Sequence, residues 1–243
     1  MKAMLLAAGM GTRLRPLTDN LPKCMMPVGG KPILAHTIQR LKTYGINDVM
    51  INLHYLPEKV IEYFGDGSKW EIKIDYSLEK EILGTAGAVK NVADYFEGKP
   101  FLVWYGDNLC ACDIERLINF HQAEARLATI ALYQREDVAQ CGIVGMDSGN
   151  RITRFLEKPG PEQVFSHWVN AGIYILEPEV LSYISLNTPS DFGRDVFPTL
   201  LADGWHLYGY CLSKMEKFWW SDTLEDLRRT QKEVISWEKK NGN

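Results

Sequence analysis

The stretch that most constrains this chain is its opening, Met1 to Gly30, MKAMLLAAGMGTRLRPLTDNLPKCMMPVGG. A short apolar run, Ala3 to Ala8, breaks at Gly9, and Gly9, Gly11 and Thr12 lead into Arg13, Arg15 and Lys23. A buried strand that feeds a tight cationic loop is how α/β proteins begin, and glycines there let backbone N–H groups approach a polyanion. Arg13 offers a planar fork to phosphate oxygens, and Lys23, fixed by Pro22, a second point charge. Read alone, the glycine pair is an ordinary strand-to-helix turn. The loop lacks the Gly-Lys-Ser/Thr of a Walker A loop, and Leu14 stands where a dinucleotide fingerprint needs its third glycine.

Strand-like and helix-like stretches go on alternating past this loop. Lys31–Tyr44 carries Ile33, Leu34, Ile38 and Leu41 on one helical face, with Pro32 at its start and Gly45 at its end. Val49–Leu53 is β-rich, Pro57–Phe64 returns to helical spacing, and Glu71–Tyr76 alternates like a strand. A second glycine-bearing loop, Gly84–Ala88, opens a helix running to about Phe96. Phe101–Tyr105 reads as a buried strand that closes on Gly106 and Asp107, at the strand end where open α/β sheets present ligand chemistry. Asp113 is expected to cap a helix over 113–125, followed by a strand over Leu127–Tyr133. Gly142–Met146, Arg151–Glu157 and Trp168–Leu176 read as antiparallel strands joined by turns.

Short helices are expected over Pro178–Ile184 and, after Asp191, over Gly193–Leu201, with strands over Trp205–Cys211 and Lys217–Trp220. Thr223–Lys239 is a long amphipathic helix with Leu224, Leu227, Val234, Ile235 and Trp237 on its apolar side. Alternating strands and helices predict a Rossmann-like α/β fold with a mixed, mostly parallel sheet flanked by helices. At 243 residues one domain over 1–243 suffices, in a first half at 1–135 and a second at 136–243.

Composition narrows the partners. A formal net charge of −4 argues against nonspecific nucleic-acid binding, so a phosphate ligand must meet local positive charge. The opening apolar run is too short for a signal peptide or a membrane span, which gives a cytoplasmic expectation. Five cysteines, an odd and scattered set, read as free thiols, and Cys110 with Cys112 lacks the further ligands of structural zinc. The seven tryptophans and the Trp-bearing last helix leave room for a homo-oligomeric interface, with buried core the first expectation.

The string G-x-G-T-R-L-x-P-L-T at 9–18, followed by L-P-K-x-x-x-P-V at 21–28, resembles the signature of the sugar nucleotidyltransferases, the NDP-sugar pyrophosphorylases, with mannose-1-phosphate guanylyltransferase-like members nearest in motif. The resemblance covers nearly the whole chain. It implies a GT-A-like fold with an antiparallel sugar-binding addition, here with no C-terminal β-helix after the last helix. It also implies an enzyme that makes an NDP-sugar and pyrophosphate from a nucleoside triphosphate and a sugar 1-phosphate.

Carried over motif by motif, the resemblance puts Leu6, Ala8, Gly9, Gly11 and Thr12 on the nucleotide, with Arg13 and Lys23 as catalytic cations. Asp107, in the G-D pair after the central strand, and Asp222, in Trp219-Trp220-Ser221-Asp222, become ligands of Mg²⁺. Asp222 serves equally as a cap for the last helix, and Thr223-Leu224-Glu225-Asp226 replaces the family's glycine-rich continuation. Phe155-Leu156-Glu157-Lys158-Pro159 matches the element that holds the sugar 1-phosphate, and Asn170 matches a second sugar contact. Gly84 and Thr85 match the loop over base and sugar. Glu81 stands where guanylyltransferases carry an acid able to accept from guanine N1–H and N2–H₂, although Ile82 replaces their usual proline. GTP with mannose 1-phosphate is the first expectation. Uridylyl, thymidylyl or cytidylyl transfer to another sugar or non-sugar phosphate stays open, as does a noncatalytic NDP-sugar-binding relative.

Overall fold

Apolar runs and helical periodicities become strands and helices in the expected order in the computed structural model, which describes residues 1–123 and 126–241. In chain order these are β1 (Lys2–Leu6), β2 (Pro27–Val28), β3 (Lys31–Pro32), α1 (Ile33–Thr43), β4 (Asp48–Leu53), α2 (Pro57–Phe64), β5 (Lys73–Leu78), α3 (Gly84–Asn91), β6 (Phe101–Tyr105) and β7 (Leu109–Cys110). They continue with α4 (Ile114–Gln122), β8 (Ala128–Gln134), β9 (Gly142–Met146), β10 (Ile152–Glu157), β11 (Trp168–Leu176), α5 (Phe197–Ala202), β12 (Leu207–Cys211), β13 (Phe218–Trp219) and α6 (Leu224–Asn241). The final residues expected in α4, 124 and 125, lie outside the described residues.

The elements gather into two compact bodies, each drawn from three separated segments. The first takes Met1–Met4, Glu81–Trp104 and Cys112–Glu216; the second takes Leu5–Lys80, Tyr105–Ala111 and Lys217–Asn243. In the first body the strand order is β10-β9-β11-β6, ending on the N-terminal half of β1, with β8 pairing both β11 and β12. Its ladders are antiparallel around β11, whereas β12 runs parallel to β8. In the second body the rest of β1 leads to β4 and β5, which pair in parallel from Asp48↔Lys73 to Leu53↔Leu78. Two antiparallel ribbons, β2–β3 and β7–β13, complete it. The mixed, Rossmann-like sheet expected from the alternation is present.

One apolar cluster explains how the second body brings distant segments together. Leu14, Met26, Val28, Ile33, Leu109, Trp219, Leu227 and Val234 are all at most 5% exposed and pack as one group. Burying side chains of this size contributes roughly 1.5–3 kcal/mol each. The opening loop, the turn after β6, and the segment into α6 are thereby anchored next to one another. Trp237 of α6 stacks edge-on to Trp219 with ring centroids 5.6 Å apart. Leu224 and Ile235, expected on the buried side of α6, are instead 36% and 43% exposed. Among the described residues the helix buries a stripe through Leu227, Thr230 and Val234, with Trp237 packed against it.

Candidate functional site

The anchored segments carry four charged side chains to one place. After Gly11, residues Thr12–Leu14 form one turn of 3-10 helix, and Lys23–Met25 form another behind the extended Pro22. Gly11 has φ +61°, and a Cβ there would sit 3.0 Å from both the Lys23 Cβ and the Thr18 Cγ2. A glycine is therefore required twice, for its left-handed backbone and for the close packing of the Lys23 stem. Gly9 differs: its φ is not in that region, and a Cβ on it would meet nothing within 4 Å. Open space, not a turn, is what Gly9 preserves.

The Lys23 ammonium donates to Asp107 Oδ2 at 2.8 Å and to Asp222 Oδ1 at 2.5 Å. Arg13 Nη2 lies 3.3 Å from the same Asp222 oxygen. The Lys23 and Asp222 side chains are 8% and 12% exposed, against 32% for Asp107 and 56% for Arg13. Burial on its own would lower the Lys23 pKa, but Asp107 and then Asp222 outweigh it, and the net shift is upward. Two cations thus balance two anions.

Asp222 does not cap α6. Thr223 does: its Oγ1 accepts from the Asp226 N–H at 3.1 Å while Asp226 Oδ2 accepts from the Thr223 N–H at 3.2 Å, a reciprocal capping box. Asp222 is left to the charge cluster. The position of Asp107 depends on β6, whose next residue, Gly106, donates its N–H to the Leu6 carbonyl at 2.9 Å. A Cβ on Gly106 would press the Leu34 Cδ1 at 3.0 Å, so the loop after β6 hugs the end of β1.

At and just after the end of β1 the residues Leu6, Ala7 and Ala8 are buried, and Thr12 is exposed. Sequence reasoning missed Asn52, on β4. Its Oδ1 accepts from the Ala7 N–H at 2.9 Å and its Nδ2 donates to Glu79 Oε1 at 2.7 Å. The buried acid after β5 is Glu79, 8% exposed, whereas Glu81 is exposed. The signal was a polar residue inside an otherwise apolar strand, since buried amides almost always have partners.

The first body holds the other group of expected residues. Gly84–Ala88 is not a free loop but the start of α3: the N–H groups of Ala86 and Gly87 donate to the Ser190 carbonyl at 2.9 and 3.2 Å. Thr85 Oγ1 donates to Asp191 Oδ2 at 2.8 Å and accepts from the Phe192 N–H at 2.9 Å. Asp191 Oδ1 in turn accepts from the Gly193 and Arg194 N–H groups and so caps the turn that follows. Glu157 ends β10, with Oε2 where a Cβ on Gly142 or Gly193 would stand 2.6 or 2.8 Å away. Burial, with Asp191 nearby, pushes the Glu157 carboxyl above the usual carboxylate range despite Lys158. Lys158 is exposed, at φ +50°. Asn170 is committed locally, donating to the Tyr174 hydroxyl at 2.7 Å and accepting from the Gly172 N–H at 2.8 Å, where β11 shifts register against β8.

Two cavities contain none of these side chains. One of about 700 Å³ in the second body is lined by His36, Arg40, Cys110 and Trp237, and one of about 950 Å³ in the first by His121, Arg126, Glu177 and Trp205. Converging charge marks the candidate site.

The two carboxylates also pass a test for a divalent cation. Both present oxygens to a single nitrogen, so a small hard cation can reach both. Among the described residues no three His, Cys, Asp or Glu side chains are grouped to hold a metal by themselves. Mg²⁺ suits that arrangement, because it is bound through one or two carboxylates and completes its shell with phosphate oxygens and water.

A Rossmann-like α/β chain with cations at the end of its first strand is a phosphate-handling class of protein. The chain matches the Nucleotidyl transferase family over residues 2–235, and it belongs to that family. It is 36% identical to the UTP–glucose-1-phosphate uridylyltransferase of Synechocystis sp., over 99% of this chain and 65% of that protein. It is also 36% identical to the mannose-1-phosphate guanylyltransferase of Mycobacterium tuberculosis, over 96% of this chain and 64% of that protein. The chain spans just under two thirds of the length of these curated relatives. The crystal structure of HddC from Yersinia pseudotuberculosis complexed with GMP-PN superposes with a TM-score of 0.79 at 25% identity, covering 96% of this chain and 99% of that one. Equal identity to a uridylyl- and a guanylyltransferase leaves the base unassigned. No helix among the described residues is long and apolar enough to cross a membrane.

Proposed function

We propose that this chain transfers a nucleotidyl group from a nucleoside triphosphate to a sugar 1-phosphate and releases pyrophosphate, with GTP and mannose 1-phosphate the first pair to test. The observation that carries the reading is the convergence of Arg13, Lys23, Asp107 and Asp222 in the body that bears the glycine loop.

The chemistry asks little of a general base, because a phosphate monoester is already anionic at neutral pH. A sugar-phosphate oxygen attacks the α-phosphorus, the bond to the β-phosphate oxygen breaks, and pyrophosphate leaves with the charge. Positioning and charge neutralisation then do most of the catalysis. Arg13 holds the triphosphate and the departing pyrophosphate, and Lys23 holds the α-phosphate and the incoming phosphate. Backbone at Leu6, Ala8, Gly9, Gly11 and Thr12 lines the nucleotide. Asp107 and Asp222 hold Mg²⁺, which when bound supplies Lewis-acid stabilisation of phosphate charge.

In the first body, Glu157 accepts sugar hydroxyls, Lys158 meets the sugar phosphate, and Gly84 and Thr85 bear on base and sugar. Asn170 contacts the sugar with the second N–H and the second oxygen lone pair that its two local hydrogen bonds leave over. Glu81 faces solvent, so its part in reading guanine requires the ligand to come to it.

A panel of the four common NTPs against several sugar 1-phosphates, read as pyrophosphate release, tests this directly. Release that depends on both substrates and yields an NDP-sugar supports it. Tight binding of NDP-sugars with no turnover in any pairing would assign the chain a sensing role instead.

A further inference from the structure

We infer that Lys23 is the resident counter-ion of the Asp107–Asp222 pair and keeps a divalent cation off these carboxylates until nucleotide phosphates draw its ammonium away. The inference rests on the proposed function, in which the same carboxylates hold the metal.

Geometry is the first support. One ammonium touches both carboxylates, at 2.8 and 2.5 Å, so it fills the position from which a small cation would reach both. The base of its stem is held, because the backbone around it is a single 3-10 turn and its Cβ lies against Gly11, so it is the ammonium end of this mostly buried side chain that phosphates draw away.

Charge is the second. Lys23 and Arg13 already neutralise Asp107 and Asp222. A divalent cation arriving alone must displace Lys23 or sit beside it, and repulsion between like charges at such distances is strong in a partly buried setting. A triphosphate removes the conflict, because its oxygens give both cations new partners and bring ligands of their own for the metal. Nucleotide and metal are therefore coupled in binding, and each raises the affinity for the other.

The test measures Mn²⁺ binding without nucleotide, by electron paramagnetic resonance and by the shift in melting temperature. Wild type is expected to bind Mn²⁺ weakly. Lys23→Met, which keeps the stem and loses the charge, is expected to bind it at least ~tenfold tighter and to be stabilised by it more than wild type is. Lys23→Gln serves if the methionine variant does not fold, and Lys23→Arg is expected to stay weak. Adding Asp107→Asn or Asp222→Asn to Lys23→Met should abolish the gain. A Lys23→Met protein that binds Mn²⁺ no more tightly than wild type overturns the inference. A gain that survives both asparagine substitutions overturns instead the assignment of the metal to these carboxylates.

Discussion

Gly9 and Gly11 are two residues apart and look alike in the sequence, yet they do different work. Alanine at Gly11 must adopt a left-handed backbone and crowd the Lys23 and Thr18 side chains at 3.0 Å. We expect Gly11→Ala to cost about 1–2 kcal/mol of stability and most of the activity, since Lys23 moves with it. Alanine at Gly9 meets nothing in the protein. Gly9→Ala should leave the melting temperature unchanged and raise KM for the nucleotide, and a stability loss equal to that of Gly11→Ala would contradict the distinction. Glu157 offers a second contrast. Its folded pKa is raised by burial and by Asp191, so ionising it costs stability as pH climbs from the unfolded carboxylate value through the raised one. Glu157→Gln should melt higher than wild type at neutral pH, lose that advantage toward pH 4, and use sugar 1-phosphate poorly.

Elements were the most legible level of this chain. β6, β9, β11 and α2 fall where periodicity puts them, because each is a local pattern that burial rewards. The turns that carry the site were not legible. Thr12–Leu14 and Lys23–Met25 are single 3-10 turns held by distant packing, and no local spacing announces them. The start of α3 failed for a related reason: its orphan N–H groups are satisfied by the carbonyl of Ser190, a partner about a hundred positions away by the span of the Thr85–Asp191 bond. That interaction makes Asp191 the joint between α3 and the segment entering α5. Asp191→Ala should cost about 1 kcal/mol for the lost cap and more for the broken bond to Thr85, and Thr85→Val should recover part of that second cost in a double-mutant cycle. Additive losses would show the two are uncoupled. Glu216 is a comparable tie within the first body. It accepts from the Asp113 and Ser213 N–H groups at 2.8 and 2.9 Å and from the Tyr210 hydroxyl. Burial raises its pKa, but these donors outweigh it and the net shift is downward. Its stabilisation is thus present above the unfolded value and is lost as pH falls through the lowered one. Acid titration of Glu216→Gln should show a shallower loss of stability than wild type over that window.

At the scale of the molecule, what the sequence could not disclose is which charges meet. Arg13, Lys23, Asp107 and Asp222 come from segments spread over most of the chain, and only the apolar cluster through Leu14, Leu109, Trp219 and Leu227 explains why they converge. The motif match named them without saying that Lys23 would lie on both carboxylates, or that Thr223 would release Asp222 from capping α6. A net charge of −4 makes that local balance the more important, since a triphosphate is attracted only where cations gather. The most direct test of the whole account is sugar-phosphate-dependent pyrophosphate release by wild type, Arg13→Ala and Lys23→Ala proteins of verified fold. We predict release by wild type with its best substrate pair and losses of roughly 10²- to 10³-fold in each variant, the size expected for removing a preorganised charge. Full release by either folded variant would contradict the role given to that residue, and full release by both would contradict the site.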